Sequence, residues 1–126
     1  MPLVTLTLLK GQKAEKKTQI LNAVHESIIL AGVPEKDRFQ RVIELNAENF
    51  IYDKEYPNLE TSRTDQFVLI EILFSVGRSV KIKRRILTAL MEKFISIGVS
   101  SNDTMVVFQE TAWENWAFAN GEIIHA

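Results

Sequence analysis

The feature that most constrains this chain is that it is written twice. Laid over each other without a gap, residues 2–44 and 68–110 bring Gly11 onto Gly77, Gly32 onto Gly98, Val33 onto Val99 and Asp37 onto Asp103. PLVTLTLLKG meets VLIEILFSVG, and AGVPEKDRFQRVIE meets IGVSSNDTMVVFQE. One identity of this kind is chance. Four in one register, with the apolar alternation in step, indicate two copies of one supersecondary unit.

Each copy has the same parts. Val4, Leu6 and Leu8 alternate with Leu3, Thr5 and Thr7, which predicts a strand with one more apolar face. The matching strand, with Leu69, Ile72 and Phe74, is apolar on both sides, which predicts burial of both. A helix follows in each. Ile20, Val24, Ile28 and Ala31 make the apolar stripe of the first, and Leu87, Leu90, Met91 and Phe94 that of the second. Gly32 and Gly98 stand where C-cap glycines belong, and Pro34 cannot continue a helix. RFQRVIEL and TMVVFQE then read as second strands. Strand–helix–strand makes the two strands of a unit parallel. The predicted fold is therefore α/β (α+β): duplicated β-α-β units forming a four-stranded sheet with two helices on one face, in a single domain over 1–126. The other sheet face has nothing in the chain to cover it, which predicts a closed homo-oligomer.

Composition narrows the function classes. Lys and Arg total 15 against 16 Asp and Glu, a net charge of -1, which gives no general attraction to nucleic acid or to anionic lipid. KIKRR at 81–85 lies on a helix away from its apolar stripe and reads as a solvated face, with no nucleic acid as partner. There is no cysteine, so disulfides and thiolate metal sites are excluded, and two isolated histidines offer no metal-ligand spacing. No metal and no organic cofactor is implied. No apolar run reaches the roughly 18 residues of a membrane span, and no leader pattern opens the chain, so the expectation is a cytoplasmic protein without a membrane partner. Residues 46–66 join the two units. Residues 111–126 form an aromatic tail with Trp113, Trp116 and Phe118, read mainly as packing on a neighbouring subunit and otherwise as the wall of a pocket.

With MPL at the start, GVPEKDRFQ at 32–40, SVGR at 75–78 and WAFANGE at 116–122, the doubled unit resembles the tautomerase superfamily. The malonate semialdehyde decarboxylase-like branch is the most similar. The resemblance covers nearly the whole chain and implies a tautomerase/MIF-like fold, a homotrimer, and catalysis by an N-terminal proline amine exposed when methionine is removed. It implies that Pro2 transfers the proton, that Asp37 lies close to it and holds its ammonium form or orients a water, and that Arg78 holds the carboxylate of a small substrate. It further implies that Trp116 and Phe118 wall the pocket. Two positions depart from the branch. Val76 stands where a second arginine is usual, and Phe39 where a tyrosine often follows Asp-Arg. Both argue against malonate semialdehyde as substrate more than against a tautomerase-like site. Arg38 or Arg41 could supply the second cation, from this chain or across a subunit boundary, and Arg38 and Phe39 are candidate substrate-binding residues.

The residues themselves support parts of this. An α-amino group titrates at about 7.7–8.0, closer to neutrality than any lysine, and a ring holds its lone pair in a fixed direction. Otherwise Pro2 is only the first residue of an edge strand. Asp37 shares its turn with Asp103, so one structural cause, a side chain bonded to backbone N–H groups, covers both. Arg78, after Gly77 at the start of the second helix, is placed for an anion. His25 beside the apolar stripe reads as packing, and His125 as a pocket edge at most. The expected activity is keto–enol tautomerisation, decarboxylation or hydration of a 2-keto or 3-oxo acid, by an isomerase or lyase. The alternative is a non-catalytic oligomeric binding protein on the same fold.

Overall fold

A computed structural model describes residues 2–125. Met1 lies outside them, and with it the question of its removal. The elements run β1 (Leu3–Leu9), α1 (Ala14–Ile29), β2 (Phe39–Leu45), β3 (Val68–Ser75), α2 (Val80–Ile97) and β4 (Thr104–Thr111). They form one four-stranded sheet in the order β2-β1-β3-β4. β1 pairs with β2 and β3 with β4 in parallel, while β1 and β3 join the two units antiparallel at the centre. The duplicated architecture read from the sequence is the one observed.

Alternation divides the sheet cleanly. Val4, Leu6 and Leu8 of β1 and Val68, Ile70, Ile72 and Phe74 of β3 point to the helices and are at most 1% exposed. Ile20, Val24 and Ile28 of α1 and Ile86, Leu90 and Phe94 of α2 meet them. Each fully buried side chain contributes about 1.5–3 kcal/mol of transfer free energy. The α2 stripe thus centres on Ile86, with Leu87 and Met91 only half-buried, a rotation of one residue from the sequence expectation. Leu87 is offset because Leu90 and Phe94 share a line with position 86 at the i, i+4 spacing of a helix.

Two boundaries differ from expectation, the end of α1 and the start of α2, while the end of α2 agrees with it. α1 ends at Ile29 with Leu30 as C-cap, so Ala31 packs from the following turn and Gly32 lies beyond the cap. Gly98 is the left-handed C-cap of α2, with φ 78°. Arg78 is not in α2: Ser79 is the N-cap, its hydroxyl accepting from Ile82 N–H at 3.2 Å.

The opposite face of the sheet carries no helix. Phe39, Leu3 and Leu73 form one cross-strand row on it, Arg41, Thr5, Glu71 and Val107 the next, and Ile43, Thr7, Leu69 and Met105 a third. Phe39, Ile43 and Met105 are 51%, 37% and 45% exposed. Leu69 and Leu73 are half-buried, so β3 is fully buried on one face only within a single chain.

Candidate active site

Strand directions bring four chain segments to one end of the sheet. β1 and β2 begin there, β3 and β4 finish there. That end therefore collects Pro2, the turn 34–38, the loop 75–79 and the start of the aromatic tail. Pro2 is buried. The pairs Leu3–Phe39 and Leu3–Leu73, continued by one residue, put Pro2 level with Arg38 on one side and Phe74 on the other.

The loop between β3 and α2 builds a cation into this end. Gly77 takes φ 119°, a region that costs a side chain steric strain, and the chain doubles back. The Arg78 guanidinium lies 4.3 Å from the centroid of the Phe74 ring, and its Nη1 donates to the Ser75 carbonyl at 3.1 Å. A guanidinium over a ring face gains cation–π attraction while staying poorly hydrated. Burial lowers its pKa from the ordinary arginine value, against the opposing fields of the Asp37 and Glu110 carboxylates. It remains a cation. Its Nε is buried and has no hydrogen-bond partner among the described residues. A carboxylate would supply that partner.

Asp37 and Asp103, matched in the repeat, play different parts. Asp103 is 5% exposed and accepts from Thr64 N–H at 2.7 Å and Thr64 Oγ1 at 2.6 Å. It fastens the connector between the units. Asp37 is half-buried and its field reaches Arg78. Its turn closes with its own N–H donating to Pro34 O at 3.0 Å. The turn is also held from α1. His25, 5% exposed, lies 2.7 Å through Nε2 from the Glu35 carbonyl, so that nitrogen carries the proton.

The tail closes over the end of the sheet. It leaves β4 at one edge, where Val76 N–H donates to Thr111 O at 2.9 Å. It reaches β2 at the other edge, where the Phe118 ring centroid is 6.2 Å from that of Phe39. Three strand spacings are about 14 Å, well within the reach of seven residues. Residues 112–118 therefore run from the β4 edge to the β2 edge at this end of the sheet. Trp116 stacks on Phe118 at 5.7 Å, and its indole N–H is buried without a partner among the described residues. His125 meets Trp113 and Phe118 edge-on at 5.4 and 6.3 Å. Trp116 and Phe118 thus pack on their own chain.

The two arginines offered as a second cation turn elsewhere. Arg38 donates from Nε to Gln40 and from Nη2 to Asn22 of α1, at 2.9 and 2.7 Å. Arg41 donates to Thr5 Oγ1 at 2.9 Å on the helix-free face. The basic run 81–85 is on the outside of α2, with Lys83 paired to Glu110. Sequence reasoning missed Phe74, Glu110 and Ser75 as parts of this end. One signal was available: Ser75 breaks the apolar run VLIEILF where the first copy has Leu9. Among the described residues no group of three or more His, Cys, Asp or Glu could hold a metal ion. No helix is long and apolar enough to cross a membrane.

Comparison with known proteins bears on the family and the fold. The family model described as tautomerase enzyme matches residues 37–119. A malonate semialdehyde decarboxylase inhibited by 3-bromopropiolate is 26% identical with a TM-score of 0.87, over 96% of this chain and 92% of that one. A set of wild-type, mutant and inactivated malonate semialdehyde decarboxylases, described for decarboxylase and hydratase activities, is 26% identical at 0.86, over 96% and 93%. A fused 4-OT described as a symmetric trimer shares the fold at 22% identity and 0.75, over 96% and 94%.

Proposed function

Since the chain belongs to the tautomerase enzyme family, we propose that it moves a proton on a small 2-keto or 3-oxo acid, with the Pro2 nitrogen as the acid–base group. The observation that supports this reading is that strand directions bring the starts of β1 and β2 and the end of β3, and with them Pro2, Asp37 and Arg78, to one end of the sheet, with Arg78 in the field of Asp37. Removal of Met1 would leave Pro2 with a secondary amine, able to take and return a proton near neutral pH. Arg78 binds the substrate carboxylate through its unpartnered Nε and polarises the adjacent carbonyl. Asp37 holds the ammonium form of Pro2. The Trp116–Phe118 strap excludes water and raises the strength of each electrostatic contact below it. Tautomerisation of either acid, decarboxylation of a 3-oxo acid and conjugate addition of water to an unsaturated 2-oxo acid all pass through an enol or enolate, so one site serves each. The working form is a homotrimer that covers the helix-free sheet face, and the protein works in the cytoplasm.

An ultraviolet assay on the enol of phenylpyruvate tests the reading with wild type, Pro2→Ala and Arg78→Ala. Complete loss of acid–base help costs about 10²–10⁴-fold; Pro2→Ala keeps a primary amine but loses the ring that aims it, so kcat/KM falls by up to that order. Loss of the guanidinium removes charge-assisted bonds of about 1.5–3 kcal/mol, roughly 10- to 100-fold in kcat/KM. Unchanged rates in both variants sink the proposal and leave the binding-protein reading, which Val76 in place of a second arginine favours. Retention of Met1 in the native protein, read by mass spectrometry, does the same.

A further inference from the structure

Ser75 is the residue at this end that the proposed chemistry leaves without a task. It ends β3, is 0% exposed, and its hydroxyl has no hydrogen-bond partner among the described residues. A buried hydroxyl left unpaired costs on the order of 1–3 kcal/mol, so it calls for a partner the described residues do not supply.

The register says where that partner would be. Leu3 faces Leu73 across the central antiparallel pair and Phe39 across the parallel one. One step on, Phe74 and Arg38 flank Pro2. Carried two residues beyond the last observed pairs, the same register would set Ser75 and Asp37 on opposite sides of the Pro2 nitrogen. Ser75 shares the helix-free face with Leu73 by strand alternation, at the end of the sheet where the tail runs from Thr111 to Phe118 beside Phe39. A prolinium has two N–H donors. One acceptor, Asp37, stands on the β2 side; the other donor needs a second on the β3 side.

We propose that the Ser75 hydroxyl is a positioning group for catalysis, accepting a hydrogen bond from the Pro2 ammonium opposite Asp37. This rests on the proposed freeing of the Pro2 amine. Two acceptors on two donors fix the nitrogen's orientation; the proton passed to substrate is the one on the Ser75 side, and the lone pair it leaves keeps that direction while Asp37 holds the other N–H. The charged groups around it are Asp37 and Arg38 from the β2 side, Arg78 from the loop after β3, and Glu110 from β4. Ser75 adds no charge, so it holds direction while leaving the balance of charges unaltered.

The test uses protein with Pro2 at its N-terminus, verified by mass, and labelled with ¹⁵N-proline. The N-terminal nitrogen is titrated by NMR in wild type, Ser75→Ala and the near-isosteric Ser75→Cys, whose thiol is a poor acceptor and keeps the volume if the alanine variant does not fold. Losing an acceptor of the charged form lowers a pKa. The amine pKa falls by about half a unit or more, a roughly threefold loss of proton affinity, and the acid limb of kcat/KM moves to lower pH with it. A variant that folds and titrates with wild type overturns the inference. The outcomes for Ser75 and for catalysis separate. A shifted titration without turnover of any oxo acid keeps the Ser75 contact and removes the catalytic reading. Turnover with an unshifted titration does the reverse.

Discussion

At the scale of residues, the two repeat-related aspartates make opposite predictions. Asp103 is fixed by two short bonds from Thr64, while Asp37 faces the cation of Arg78. Asp103→Asn weakens charge-assisted bonds and costs about 1–3 kcal/mol of stability, with activity per folded molecule retained. Asp37→Asn leaves the urea midpoint close to wild type and lowers kcat/KM. Denaturation curves and the enol assay on both variants read this contrast; the same response in both variants refutes it. The sequence could not separate the pair, because the repeat places both in one turn and their partners come from remote segments. Thr64 lies in the connector, outside either copy. Arg78 was legible as a cation at this end from its place after Gly77 and before a helix. Its seat on Phe74 was not, since that needs the positive φ of Gly77 to fold the chain back.

At the scale of elements, strands and helices were legible because the apolar period changes sharply from two to three or four in each copy. The connector over 46–67 was not. It has no period, and its order comes from a few polar clasps. Arg63 donates from Nη1 to the carbonyls of Asp53 and Tyr56 and from Nε to that of Asn102, and lies 5.1 Å from the Phe67 ring centroid. Tyr52 stacks on Phe67 at 4.3 Å and donates to Thr64 O at 2.6 Å. Burial raises the Tyr52 pKa, and Asp65 and Asp103 add to this against Arg63. A tyrosine whose folded pKa lies above its unfolded value binds more proton when folded. Its contribution is therefore complete below about pH 10, the unfolded value, and is lost as pH rises through the folded one. Urea midpoints of wild type fall between about pH 8 and about pH 11. Tyr52→Phe costs about 0.5–1.5 kcal/mol at the lower pH and falls less steeply. Parallel slopes for the two proteins contradict the assignment.

At the scale of the whole molecule, the decisive object is the sheet face that no helix covers. The duplication made it legible. Two β-α-β units of one hand, joined antiparallel, must put both helices on the same side. What the sequence could not convey is how that face is made. Its rows differ: Phe39, Leu3 and Leu73 are apolar and end on Gln109, then come Arg41, Thr5, Glu71 and Val107, then Ile43, Thr7, Leu69 and Met105. Arg41 already donates to Thr5, so its charge enters an interface with one bond made. Such a face, with Phe39 and Met105 about half exposed, favours closed association over a lone chain. Sedimentation of the wild type then gives three times the 14.4 kDa chain mass. Met105→Glu, at the edge strand and remote from Pro2, puts a carboxylate into the apolar row. An unpaired buried charge costs several kcal/mol, enough to split the assembly at micromolar concentration. The variant sediments as a single chain with its far-ultraviolet circular dichroism unchanged, because the helix-side core is complete within one chain. A single-chain mass for wild type at high concentration rejects this assembly. Site and assembly also meet on this face, for Phe39 carries both the Phe118 contact and one of its apolar rows. Met105→Glu is therefore expected to loosen the strap over Pro2 and lower kcat/KM along with the mass.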